Sequence, residues 1–167
     1  MTDIETAVEP QRFTVAREAG VTLVGEVWKP AGDVVLDEIL MLHGGAQTRH
    51  AWARAARRLS GEGYRVTSMD ARGHGDSDWD PEGDYDIHRM SADLEAIVAE
   101  RFTERRPVIV GASLGGMTAM LSLGAGADVA RALVLVDVTP KIGAAGVGRV
   151  GGVMRSGFNG FASLPEA

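Results

Sequence analysis

The sequence predicts an α/β protein, a mostly parallel sheet with helices packed on both of its faces. Three observations carry this. Short apolar runs alternate with helical stretches through residues 21–140. Several runs are near-continuous in Val, Ile, Leu and Met, as strands covered on both faces require. Finally, His43, Asp70, Ser113 and Asp137 each stand just after such a run. That is the C-terminal strand end, where open α/β sheets place their sites.

The elements follow in order. Residues 1–10 read as a frayed tail, and 12–17 and 21–28 as two strands joined at Gly20 in an antiparallel hairpin. Residues 38–42 form a short apolar strand ending at His43-Gly44-Gly45. Residues 49–59 predict an amphipathic helix with Trp52, Ala55, Ala56 and Leu59 inward and Arg54, Arg57 and Arg58 outward. Gly61 and Gly63 stop it, and 64–69 is the next strand. A polar loop covers 71–85. Asp86 caps a helix whose apolar face is Met90, Leu94, Ile97, Val98 and Phe102. Strand 108–110 enters a turn at Ser113, a small-residue helix follows over 116–123, and 132–136 is one more buried strand. After Pro140 the glycine density rises. Residues 1–140 are therefore assigned to a core domain, and 141–167 to a connecting segment or the start of a cap.

Composition narrows the function classes. The chain has 167 residues, 45% hydrophobic and 24% charged, enough for one domain with a real core. Its net charge of −6 argues against nucleic acid or an anionic membrane as partner. There is no cysteine, which excludes disulfides and thiolate metal sites and fits a cytoplasmic setting. No histidine spacing suggests a metal site, no cofactor is implied, and the expected partner is a small-molecule substrate. Oligomeric state is left open.

Gly111-Ala112-Ser113-Leu114-Gly115 carries the chemistry. Strand, sharp turn and helix with a serine at the turn match the nucleophile elbow G-x-S-x-G. A serine in a strained turn needs neighbours without side chains, so Gly111 and Gly115 have a steric role. Its oxygen then stands beside a helix N-terminus that favours developing negative charge. Two other readings compete. One is a serine N-cap without chemistry. The other is a dinucleotide turn, but that needs glycine where Met117 stands and belongs after the first strand.

His43-Gly44-Gly45, then Asp70-Ala71-Arg72-Gly73-His74-Gly75-Asp76-Ser77, then the serine elbow occur in one order. Together they resemble the α/β-hydrolase superfamily over about residues 21–140, and most of all its small esterases, epoxide-hydrolase-like enzymes and cofactor-free haloperoxidases. The resemblance implies that Ser113 is the nucleophile and that the N–H groups of Gly45 and Leu114 form the oxyanion hole. His43 and Gly44 support that loop. Epoxide hydrolases and haloalkane dehalogenases use aspartate at the elbow, so serine implies ester-like acyl transfer. Perhydrolysis of a small carboxylic acid would use the same site.

The resemblance also implies an acid and a histidine later in the chain, yet no histidine follows Ser113. The sequence therefore reads as the N-terminal portion of a hydrolase. A catalytically inactive fragment or binding module is the alternative from a different class. Asp137 has two readings, the catalytic acid or a strand-end carboxylate that braces a loop. Arg72 and Asp70 are expected to brace the loop after the fourth strand. His50, His74 and His88 read as loop or surface histidines, and Trp52 as core or pocket wall. Phe158 or Phe161 would line an entrance. Without a seventh strand, 132–136 would form a sheet edge.

Overall fold

Six strands lie side by side in the order β1-β2-β4-β3-β5-β6 in the computed structural model, which describes residues 9–30, 32 and 35–140. They are β1 Gln11–Ala16, β2 Thr22–Trp28, β3 Glu38–Leu42, β4 Arg65–Met69, β5 Val108–Ala112 and β6 Ala132–Val136. Among the described residues three α-helices are interspersed, α1 Ala53–Gly61, α2 Ile87–Arg101 and α3 Leu114–Gly124. β1 and β2 form the expected antiparallel hairpin, and β2 runs antiparallel to β4. From β4 through β3 and β5 to β6 every neighbouring pair is parallel. The segment 141–167, with Phe158 and Phe161, and the tail 1–8 lie outside the described residues.

β3 shows why the sequence makes a doubly covered sheet. Successive side chains point to opposite faces. Ile39 and Met41 pack with Trp28, Ala56 and Val66 on the α1 side. Leu40 packs with Leu23, Met69, Leu94, Ile97, Ile109 and Ala119 on the other side, under α2 and α3. Both sets must be apolar, so no polar alternation appears in the run.

α2 begins where its cap predicts. The Asp86 carboxylate accepts the His88 N–H at 2.8 Å, and Met90, Leu94, Ile97, Val98 and Phe102 are all buried. α1 departs from expectation at its start. Residues Arg49–Trp52 form a 3-10 turn and the α-helix proper begins at Ala53. The cause is Arg49, whose side chain is drawn inward rather than to solvent.

β6 corrects one expectation. It is not a buried strand. Val134 and Val136 are 47% and 39% exposed. Val134 lies in register beside Val110 on the α1 side of the sheet, and β5 is the only strand paired with β6 among the described residues. The expected sheet edge is therefore present there. Among the described residues no helix is long and apolar enough to cross a membrane.

Candidate active site

The turn between β5 and α3 consists of Ser113 alone, at φ 41° and ψ −106°. A non-glycine residue held there is strained by about 1–3 kcal/mol and needs its surroundings to over-determine it. They do. The Ser113 N–H donates to the Val136 carbonyl at 3.0 Å, the Met117 N–H to the Ser113 carbonyl at 2.9 Å, and the Gly115 N–H to the His43 carbonyl at 3.1 Å. The glycines are required by space. A Cβ on Gly111 would stand 2.6 Å from the Gly116 nitrogen, and one on Gly115 would stand 2.5 Å from Leu42 Cβ and 2.6 Å from the Leu42 carbonyl oxygen. Gly116, which the motif does not specify, is equally confined, since its Cβ would meet Val138 Cγ1 at 2.5 Å.

Ser113 is half-buried, and its hydroxyl makes no capping bond to α3. The capping alternative therefore finds no support in the geometry. Leu114 opens the helix, where an N–H has no intrahelical acceptor. Beside it runs the turn 44–47, closed by the Gln47 N–H on the Gly44 carbonyl at 3.2 Å, with Ala46 at φ 59°. The Gly44 N–H is taken by Gln47 Oε1 at 3.0 Å. The N–H groups of Gly45 and Leu114 meet no protein acceptor among the described residues. A Cβ on Gly44 would lie 3.5 Å from Ser113 Cβ, so this turn abuts the serine.

His43 is buried and both ring nitrogens are engaged. Nδ1 lies 2.7 Å from the Gly44 carbonyl and Nε2 is 3.0 Å from the Ala71 nitrogen. A carbonyl only accepts and a backbone N–H only donates, so the ring is the neutral tautomer with its proton on Nδ1. Burial pushes its pKa down, and the nearby His74 ring adds to this, while the Gly44 bond and Asp70 oppose it. With its Nε2 lone pair occupied, His43 is no base. His74 is likewise engaged, through the Arg72 carbonyl at 3.0 Å and the Ala46 N–H at 3.4 Å. His50 and His88 are exposed, as expected. Asp137 sits exposed at the end of β6 with φ 54°, next to the carbonyl that holds Ser113.

A strained serine follows a parallel strand, glycines permit the helix to cross that strand, and the strand order reverses around β3 and β4. A family profile described as the alpha/beta hydrolase fold matches residues 38–163. The chain belongs to the alpha/beta hydrolase fold family. It is 36% identical over 103 residues to an esterase of Mycobacterium tuberculosis, Rv0045c, covering 62% of this chain and 33% of that protein. It is 39% identical over 112 residues to the sn-1-specific diacylglycerol lipase ABHD11 of Mus musculus, covering 65% of this chain and 35% of that one. A crystal structure of an alpha/beta hydrolase from Novosphingobium aromaticivorans superposes with a TM-score of 0.74 at 31% identity, over 87% of this chain and 50% of that one. The chain thus spans about a third of the length of these two curated relatives.

The loop after β4 is braced as expected, but Asp70 and Arg72 have different partners. Asp70 is fully buried and accepts the Arg49 N–H at 2.6 Å, the Asp76 N–H at 3.0 Å and an Arg49 guanidinium N–H. Arg49 also reaches Asp76 at 2.9 Å and Glu26 at 3.0 Å. Arg72 forms a two-pronged pair with Asp93 at 2.7 and 2.8 Å and reaches Asp80 at 2.8 Å. The backbone N–H groups of Asp84 and Glu82 hold the Asp80 carboxyl below the usual carboxylate range, with Arg72 adding to this. Arg49, Asp80 and Asp93 were not legible as site-bracing residues. Asp93 did leave a trace, a carboxylate on the apolar stripe between Met90 and Ile97.

Proposed function

We propose that the complete protein hydrolyses a carboxylic ester or similar acyl substrate through an acyl-enzyme on Ser113. The observation that carries this is the strained, uncapped serine beside two N–H groups that meet no acceptor among the described residues. Ser113 Oγ attacks the carbonyl carbon while a histidine takes its proton. The oxyanion that forms is held by the Gly45 and Leu114 N–H groups, each such donor lowering the barrier by about 3 kcal/mol. Collapse expels the alcohol, which takes the proton back from the histidine. Water then cleaves the acyl-enzyme by the same steps.

His43 and His74 are committed to other bonds and His50 and His88 are exposed on the 3-10 turn and on α2, so the proposed base is a histidine of the protein outside these 167 residues. Asp137 is assigned as the acid that orients it, from its place at the end of β6 beside the elbow. The esterase and lipase among the relatives support the acyl-transfer reading, as does serine rather than aspartate at the elbow. The test is labelling of the complete protein with a fluorophosphonate. The parent should label at Ser113 and S113A should not. Equal labelling of S113A would show the nucleophile to lie elsewhere.

A further inference from the structure

Gln47 closes the turn that carries Gly45, yet its side chain has no part in the chemistry above. It is exposed, and its Oε1 accepts the Gly44 N–H. Only the oxygen of a carboxamide accepts from an N–H, so this bond fixes which end faces the turn. The other end, Nε2, carries two N–H donors that meet no acceptor among the described residues. A Cβ on Gly44 would stand 3.1 Å from Gln47 Oε1 and 3.5 Å from Ser113 Cβ. The carboxamide and the serine therefore lie on the same side of Gly44, where a side chain on residue 44 would crowd the carboxamide. The Gln47 backbone N–H is itself bonded to the Gly44 carbonyl. The side chain is thus tethered at both ends and loses little further freedom when it binds something.

We propose that Gln47 contacts substrate, its Nε2 donating a hydrogen bond to an oxygen on the acyl group close to the scissile carbonyl. The inference rests on the acyl-transfer reading at Ser113 and on the assignment of Asp137 as the acid. In that reading the leaving alcohol must reach the base, and Asp137 orients the base from the β6 side of the serine. The acyl arm then lies on the β3 side, where Gln47 stands, because β5 runs between β3 and β6. The site accordingly favours acyl groups bearing a hydroxyl or keto oxygen over plain alkanoyl groups.

The experiment compares p-nitrophenyl 3-hydroxybutyrate with p-nitrophenyl butyrate, as a ratio of kcat/KM, in the complete protein and its Q47E and Q47M variants. Q47E keeps an acceptor for the Gly44 N–H but has no donor at pH 8. Any repulsion between its charge and the oxyanion acts on both esters alike. The parent should prefer the hydroxy ester, and both variants should lower the ratio about five- to tenfold, the loss of one hydrogen bond. A role confined to clamping the turn would slow both esters together and leave the ratio unchanged, which overturns the inference alone. Failure of the parent on both esters overturns the acyl-transfer reading and this inference with it.

Discussion

Gly115→Ala tests the packing that creates the site. Its Cβ would stand 2.5 Å from Leu42 Cβ, 2.6 Å from the Leu42 oxygen and 2.7 Å from the Leu42 carbonyl carbon. Carbon atoms rest at about 3.5–4.0 Å, so the overlap is about 1 Å. Leu42 ends β3, which is held between β4 and β5 and cannot yield. The helix must therefore lift, which stretches the bond from the Gly115 N–H to the His43 carbonyl. Overpacking of this kind costs up to about 3 kcal/mol, and the lost hydrogen bond adds about 1 kcal/mol. Alanine returns about 1 kcal/mol of helix propensity. The net expectation is about 3 kcal/mol.

Gly124→Ala is the matched control, because nothing stands within 4 Å of its Cβ. It should be neutral or stabilising by up to about 1 kcal/mol. Urea denaturation followed by tryptophan fluorescence reads both variants. In activity, a shift of about 1 Å between the Leu114 and Gly45 N–H groups should cost on the order of a hundredfold in kcat. G115A within about 0.5 kcal/mol of the parent would refute the argument that glycine is required for the crossing of α3 over β3.

Two further outcomes follow from the bracing networks and from His43. Arg72→Met should destabilise by about 3 kcal/mol, since it takes the two-pronged partner from the buried Asp93 carboxylate, which keeps only Arg17 at 3.3 Å, and removes the guanidinium from the buried Asp80; a urea midpoint close to the parent's would count against that pair. His43 is held neutral by burial, so its pKa in the fold lies below the 6.5 of a free imidazole. The unfolded chain takes up the proton first as pH falls. The stabilisation is complete above about pH 6.5 and is lost as pH drops towards the folded value. Urea midpoints at pH 7.5 and 5.5 should therefore differ more in the parent than in H43Q, and equal differences would remove His43 from the account.

Much of this fold is legible in the chain because its signals are local. β3 and β6 occupy the expected residues, since each is an unbroken apolar run with turn residues after it. The Asp86 cap is legible because its bond spans only two residues. The serine elbow is legible because three steric demands fall within five consecutive residues. What fails is whatever depends on a distant partner. Arg72 finds Asp93, and Arg49 finds Asp70, each 21 residues away. Nothing in either local pattern announces those pairings. Arg49 then reshapes the start of α1, which the apolar spacing alone would have made one continuous helix. The burial of β6 misleads for the same reason: an apolar pattern states what a strand can bury, and only the neighbouring element decides whether it does.

The two halves of the proposed chemistry differ in what holds them. Ser113 is tied to β6 through Val136, and the helix behind it to β3 through His43. The Gly44–Gly45 peptide is fixed by two bonds to its carbonyl, from His43 Nδ1 and the Gln47 N–H. In a trans peptide the N–H points opposite the carbonyl, so these bonds also aim the Gly45 N–H. Every one of these ties involves the backbone of β3, β5, β6 or the turns that follow them. The proposed nucleophile and oxyanion donors are therefore arranged by the sheet itself, before substrate or base arrives. Electrostatic stabilisation is most effective in that condition, because dipoles already in place need no reorganisation as charge develops. The base has the opposite requirement, since an imidazole must accept and release a proton in each half-reaction. A side chain carried on another segment suits that task better than His43, whose ring is spent on holding the turn.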